Sequence, residues 1–314
     1  MFFLFIVVLL SLLWVVCRPD SPPMASDEAL GGPLIPVEKA PGQIMEAPLE
    51  DFLIQVLAAE MPAAFHPAAL QAQAVAARTY IAAHLPPYGA YRHPQAAVCC
   101  DPGHCQAYAS LETLQADWGD AYAENWQKIR QAVAATAGQI LFYEENVAET
   151  PYHSCCGGST EAAGACWSQA LPYLQAHACP YCARSPKLAG SRVLSLEQAA
   201  QAVPCGKEDL LHMAAVSHTP GGRIGFLRIG GKNYRGTELR QIWQLPSAAF
   251  TWLIQGDHIA FLSLGYGHGV GLCQYGADGM AAAGKTYRQI LDFYYPGCRL
   301  WQMDGYAQYA TEDR

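Results

Sequence analysis

The sequence predicts an α+β domain. Two apolar helical patterns lie between residues 46 and 85, a hairpin pattern at 140–152, and short strand patterns at 223–230 and 258–264. They mix without the strand–helix–strand rhythm of a parallel sheet. The chain has 314 residues, 52% hydrophobic and 15% charged, enough to bury one large core or two intimate ones. Its formal net charge of −8 argues against nucleic acid or anionic lipid as the main partner.

Residues 1–17 are almost wholly apolar. The run is longer than a signal-peptide core and at the short end for a membrane span. No Lys or Arg precedes it and no small-x-small cleavage site follows, so it reads as one uncleaved N-terminal membrane anchor helix. Arg18 alone would weakly favour a cytoplasmic C-terminus. Residues 18–45, with Asp-Ser-Pro-Pro, Gly-Gly-Pro and Ala-Pro-Gly, read as an extended linker.

The domain proper spans 46–300. Residues 46–61 form a helix stopped by Pro62, with Phe52, Val56 and Ala59 on one stripe. Pro67 opens a second, Ala-rich helix that runs to Leu85 and ends at Pro86-Pro87. A Cys/His loop at 86–105 precedes a helix around 119–137. Ile140–Tyr143 and Val147–Tyr152 make the hairpin, 153–190 is irregular, and 287–294 is a last short helix. Residues 301–314 are a tail.

Glu60 is the first candidate for chemistry. It ends an apolar helix, where the dipole disfavours a carboxylate by about 0.3–1 kcal/mol. Apolar neighbours add desolvation, and both effects raise its pKa toward that of a general acid. Next come His93, Cys99, Cys100, His104 and Cys105. Two imidazoles and two thiolates can form a tetrahedral structural zinc set; a disulfide from Cys99 or Cys100 to Cys105, with bystander histidines, is the other reading. The Tyr152–Glu161 segment, with Gly157-Gly158 flanked by hydroxyls and His153, resembles a sugar-facing loop. On an extended chain His153 and Ser154 point to opposite faces, which excludes a Ser-His nucleophile. Cys166, Cys179 and Cys182, near Cys155 and Cys156, suggest a second zinc knuckle or disulfides. Finally, residues 265–276 place five glycines among His268, Gln274 and Tyr275. This is either a tight turn or a cradle where a ligand meets the backbone.

Together these segments closely resemble the stage II sporulation protein D (SpoIID/LytB) family. The resemblance rests on Glu60-Met61-Pro62, the run Ala69–Tyr80, His104-Cys105-Gln106-Ala107-Tyr108, and Tyr152-His153-Ser154 with Gly157-Gly158-x-Thr160-Glu161. Gly267-His268-Gly269-Val270-Gly271, Gln274-Tyr275-Gly276-Ala277 and Tyr294-Tyr295-Pro296-Gly297 complete it, in family order. It implies a membrane-anchored peptidoglycan lytic transglycosylase with its domain outside the cytoplasm, acting in engulfment during endospore formation. Helices and short strands would surround a substrate groove. The substrate would be glycan strands stripped of peptides by a SpoIIP-type amidase, within an engulfment complex that includes a further membrane protein. Glu60 would be the catalytic acid/base. His93, Cys99, His104 and Cys105 would hold structural zinc. Arg78, His153, Ser154, Thr160, His268, Gln274 and Tyr275 would line the groove. Cys273, Cys155 and Cys156 stand where the family usually has Ser or Thr. With Cys166, Cys179 and Cys182 they suggest an extra metal or disulfide site near the groove. A non-catalytic glycan-binding enhancer of an amidase is the alternative in the same family, and a Cys/His interaction protein is the unrelated one.

Overall fold

The computed structural model describes residues 29–303 apart from residue 168. The anchor expected at 1–17, the start of the 18–45 linker and nearly all of the 301–314 tail lie outside the described residues. Among the described residues no helix is long and apolar enough to cross a membrane. The described chain is α+β, with several small sheets and helices around two apolar cores.

The linker reading needs correction from residue 34 onward. Leu34–Ala40 and Gln43–Pro48 form an antiparallel hairpin, and the first of these strands also pairs in parallel with Val98–Cys99. Ile35 and Val37 are completely buried, which ties the strand to the main core. The Ala-Pro-Gly punctuation is the hairpin turn itself. The tail boundary shifts too, because Arg299–Gln302 pairs with Gln139–Tyr143.

Two helices form the centre of the main core. Helix α1 covers Leu49–Glu60 and helix α2 covers Pro67–Ala82. His66 caps α2 by accepting the Ala68 N–H at 3.2 Å, and Pro67 fits its first turn, where no N–H is needed. The alanines of α2 let several elements approach closely: α1, the Tyr122–Ala134 helix, the Gln139–Tyr143 strand and the two C-terminal helices. The predicted 119–137 helix is a short helical turn followed by Tyr122–Ala134.

Arg78 belongs to this core and not to the groove, so the expectation of a groove contact is overturned. It is fully buried. Its Nε and Nη2 donate to Glu50 Oε1 and Oε2 at 2.9 and 2.7 Å. Nη1 donates to the Gln139 carbonyl at 3.1 Å and Nη2 to the Val133 carbonyl at 3.3 Å. The Gly138 N–H donates to Glu50 Oε1 at 3.0 Å. Every strong donor and acceptor of the pair is occupied, the condition under which a buried ion pair is tolerated.

A second core is built from residues 196–261, where Trp243 stacks on Phe261 with ring centroids 4.6 Å apart. The strands expected at 223–230 and 258–264 are found here as Ile224–Ile229 and His258–Leu264. Arg223 links this unit to the main body by donating to the carbonyls of Cys156 and Ser159 at 3.0 and 3.1 Å.

Arg78→Met should cost about 3–5 kcal/mol in urea unfolding, because it strands the Glu50 carboxylate in the core. Glu50→Leu with Arg78→Met should cost less than Arg78→Met alone, since no buried charge is left unpaired. A single-variant loss under about 1 kcal/mol, the range of surface pairs, would contradict this account.

Candidate functional site

A groove of about 790 Å³ opens where the C-terminal end of α1 meets the Tyr152–Ser154 strand and the glycine-rich loop. Glu60, His104, His153, Ser154, His268 and Gln274 all line it.

Glu60 is the last residue of α1. Its Oε1 accepts the Ala107 N–H at 2.7 Å and the Tyr152 hydroxyl at 3.1 Å. Burial raises its pKa above the usual carboxylate value, and hydrogen bonds from Ala107, Tyr152 and Gln274 oppose that rise without cancelling it. The Tyr152 phenol is itself pushed well above its ordinary pKa, by burial and then by the neighbouring carboxylate. It therefore stays protonated and acts as a donor. The result is a carboxyl that ionises reluctantly yet has fixed donors ready once it does.

The histidines opposite are neutral and fixed. His268 Nε2 donates to the Tyr152 carbonyl at 2.9 Å, and Nδ1 accepts the Val270 N–H at 3.1 Å. The carbonyl only accepts, so these partners assign the proton to Nε2. Burial lowers the His268 pKa to about 4. His153 Nδ1 donates to the Val270 carbonyl at 3.1 Å. Burial, followed by the nearby His268 and Arg223, holds its pKa well below the ordinary value. That leaves His153 Nε2 with a lone pair and no protein partner. Because Nε2 meets no protein group, the Ser154 hydroxyl included, His153 does not serve Ser154 as a base.

The glycine loop packs its backbone against protein. Gly269 has φ 90°, and a Cβ there would collide with the Arg223 guanidinium; a Cβ at Gly271 would strike the Pro151 carbonyl. Tyr266 and Cys155 bridge, Leu272–Cys273 pairs in parallel with Tyr152–His153, and the Glu161 N–H donates to the Gly269 carbonyl at 2.8 Å. The glycines are needed because two loops and an arginine lie in contact, and the side chains between them face the groove.

Two more expected contacts lie elsewhere. Thr160 is fully buried and bonds His177, with an N–H from that residue reaching its Oγ1 at 2.9 Å. Tyr275 does not line the groove; its ring packs edge-on against Phe65 at 5.0 Å, and its N–H supports the Ser154 carbonyl at 3.1 Å. Both hold the wall from behind. Tyr152 sat inside a motif that sequence reasoning quoted, but its hydroxyl was not singled out. Trp167 was also missed: it lines the groove at 41% exposure with its ring 5.2 Å from His268. An aromatic amid Cys and Pro in an irregular stretch was its only signal.

His93, Cys99, His104 and Cys105 converge, with their candidate ligand atoms all within 4.8 Å of one another. His93 Nε2 and His104 Nδ1 lie 3.5 and 3.4 Å from Cys105 Sγ, and Cys99 Sγ lies 3.6 Å from His104 Nδ1. Cys100 stands outside this set. Two nitrogens and two sulfurs suit a tetrahedral divalent ion. His93 Nδ1 lies 3.0 Å from Glu38 Oε2, while Glu38 Oε1 accepts the Gly42 N–H at 2.9 Å. A carboxylate behind a ligating imidazole is the usual outer support of a metal site. Two residues after Cys105 comes Ala107, whose N–H meets Glu60, so the Cys/His loop and the carboxyl are directly coupled.

A family model described as "Stage II sporulation protein" (SpoIID) matches residues 38–143. The chain is 36% identical over 274 residues to stage II sporulation protein D of Bacillus subtilis (strain 168), covering 87% of this chain and 80% of that one. It is 37% identical over 276 residues to the protein of the same name from Bacillus amyloliquefaciens, with the same coverage. It is also 26% identical over 303 residues to the amidase enhancer of Bacillus subtilis (strain 168), covering 78% of this chain and 39% of that protein.

Replacing Glu60 by Gln should raise stability at neutral pH relative to the wild type. A folded-state pKa above the unfolded value means the acid form contributes stability at low pH that is lost as pH rises through the folded pKa. The advantage of Gln should therefore shrink on acidification; an advantage that grows in acid would contradict the environment described. Glu38→Gln should weaken metal binding about 10–100-fold in a chelator competition, while an unchanged affinity would remove Glu38 from the site.

Proposed function

Because the chain belongs to the stage II sporulation protein D family, we propose that it acts in sporulation as a lytic transglycosylase on peptidoglycan glycan strands. The observation that carries the proposal is Glu60: a carboxyl of raised pKa at the groove wall, met by Ala107, Tyr152 and Gln274. In its acid form it would protonate the oxygen between N-acetylmuramic acid and N-acetylglucosamine. As the bond breaks, the resulting carboxylate would take the proton of the muramic 6-hydroxyl, and that oxygen would close a 1,6-anhydro ring. The acid is regenerated and no water is consumed. One carboxylate suffices because the nucleophile belongs to the sugar, whereas a hydrolase needs a second.

The same reading gives the groove residues their tasks. His153, whose Nε2 is buried, and His268, whose ring nitrogens are both committed to backbone, give the wall its shape. Trp167 presents an exposed ring for a sugar face, held at its angle by His268. His93, Cys99, His104 and Cys105 would bind zinc, which with four protein ligands has no open position for water and serves to stiffen the loop. The apolar residues 1–17 would anchor the domain to the membrane, with the groove outside the cytoplasm where its substrate lies. By family resemblance the strands would come from a SpoIIP-type amidase working in the same engulfment complex.

The relation to an amidase enhancer supports a second reading, in which the groove binds glycan without cutting it. Only the enzymatic reading needs Glu60. Glu60→Gln should lower release of 1,6-anhydro products from peptide-free glycan strands by at least about 100-fold, the scale of a general acid. Unchanged release would end the catalytic reading. Wild-type activity should fall as pH rises through the raised Glu60 pKa, and a rate independent of pH from acid to neutral would count against that role. Reducing-end sugars as the main product would point to hydrolysis instead, with the exposed Glu149 of the groove lining as second carboxylate.

A further inference from the structure

Sequence spacing left the thiols after residue 154 without an assignment. The fold sorts them. Cys166 is apart, its thiol near the His268 carbonyl at 3.5 Å. Cys156, Cys179, Cys182 and Cys273 come together from three segments, with their four sulfurs within 4.8 Å of one another. All four are buried and none is in a disulfide. We propose that Cys156, Cys179, Cys182 and Cys273 bind one zinc ion through four thiolates, a second metal centre behind the groove wall.

Three observations support this. The first is spacing. A tetrahedral zinc with bonds of about 2.3 Å separates its sulfurs by about 3.8 Å. Cys156 and Cys182 are 3.4 Å apart, and the whole set fits within the 4.8 Å limit. A multi-iron cluster would spread its ligands further. The second is the support for negative sulfur. The N–H groups of Cys156 and Gly276 both point at Cys273 Sγ, each at 3.2 Å, and the Tyr294 hydroxyl lies 3.2 Å from Cys179 Sγ. Such donors favour a thiolate and are largely wasted on a disulfide sulfur. The third is the knuckle. Cys179-Pro-Tyr-Cys182 folds over a helical turn at Pro180–Cys182 and brings two ligands together locally. Cys155 is a fifth buried thiol beside the set, in contact with Cys182 and Cys273, but it is outside the mutually close four.

The location gives the ion a task that does not depend on the chemistry of the groove. Cys273 caps the Gln274–Ala282 helix, and its neighbour Gln274 bonds Glu60. Cys156 lies two residues after Ser154 and three after His153. One ion would therefore pin both groove walls from behind.

Metal analysis of the full-length protein, purified without chelator, tests this. Two zinc ions per chain are expected. Cys179→Ser and Cys182→Ser should each leave one, while Cys155→Ser and Cys166→Ser keep two. His93→Ala with His104→Ala should also leave one, now with an all-sulfur shell in X-ray absorption. Loss of the second zinc in Cys155→Ser would overturn the ligand assignment. If the serine variants fail to fold, the wild type and the histidine variant decide. Absence of an all-sulfur zinc shell in X-ray absorption after His93→Ala with His104→Ala, or disulfides among these four residues in a non-reducing alkylation map of the wild type, overturns the proposal, whereas a single all-sulfur zinc in the wild type would instead count against the His93 loop as a zinc site.

Discussion

The buried pair between Glu50 and Arg78 is the constraint on which the site depends. Four separate pieces of backbone meet at it: the start of α1, the end of α2, the turn after the Tyr122–Ala134 helix, and the strand from Gln139. Desolvating two charges is tolerable only when every hydrogen-bonding position is filled, so these pieces have one arrangement relative to one another. Helix α1 carries a carboxylate near each end. Glu50 sits where the helix dipole favours negative charge and is matched by arginine; Glu60 sits where the dipole opposes it. About ten residues of rigid helix, some 15 Å, separate them. Fixing the first therefore fixes the position of the second.

Around Glu60 the structure sets burial against hydrogen bonding. Burial favours the protonated form, and the donors of Ala107, Tyr152 and Gln274 keep the ionised form from being prohibitive. The acid/base role proposed for Glu60 needs both. The opposite wall is electrostatically quiet by comparison. His153 and His268 are held neutral by burial and locked by Val270 and Tyr152. This side of the groove presents neutral rings fixed in place, which suits the face of a sugar.

Local periodicity made part of this legible in the sequence. The stripe through Phe52 and Val56 ends at Pro62 and so placed Glu60 at a helix end, and the close spacing of His93, Cys99, His104 and Cys105 marked a loop able to hold a metal. Long-range partners were invisible. Nothing near Arg78 announces that Glu50 accepts it, so the groove role that the family resemblance implied for it went unopposed in the sequence. Leu34–Ala40 was taken as linker because Gly-Gly-Pro before it and Ala-Pro-Gly at its end look like punctuation, yet this strand brings Glu38 to His93. The Gln274–Ala282 helix was hidden by Gly276 and Gly279. Those glycines are there because Tyr294 and the Tyr181 carbonyl leave no room for a Cβ. Strands such as Ala214–His218, exposed along their whole length, carry no alternation to find.

The parallel pairing of Tyr152–His153 with Leu272–Cys273 also has a consequence in time. The groups that meet at Glu60 come from residues 107, 152 and 274. The last of these is synthesised long after the first, and such distant contacts form late in folding. A nascent chain can hold its Cys/His loop and its first two helices and still lack a complete site. Any bond-breaking capacity is therefore withheld until nearly the whole domain exists. Under the proposed activity on peptidoglycan, chain connectivity would thus act as a delay built into the protein's birth.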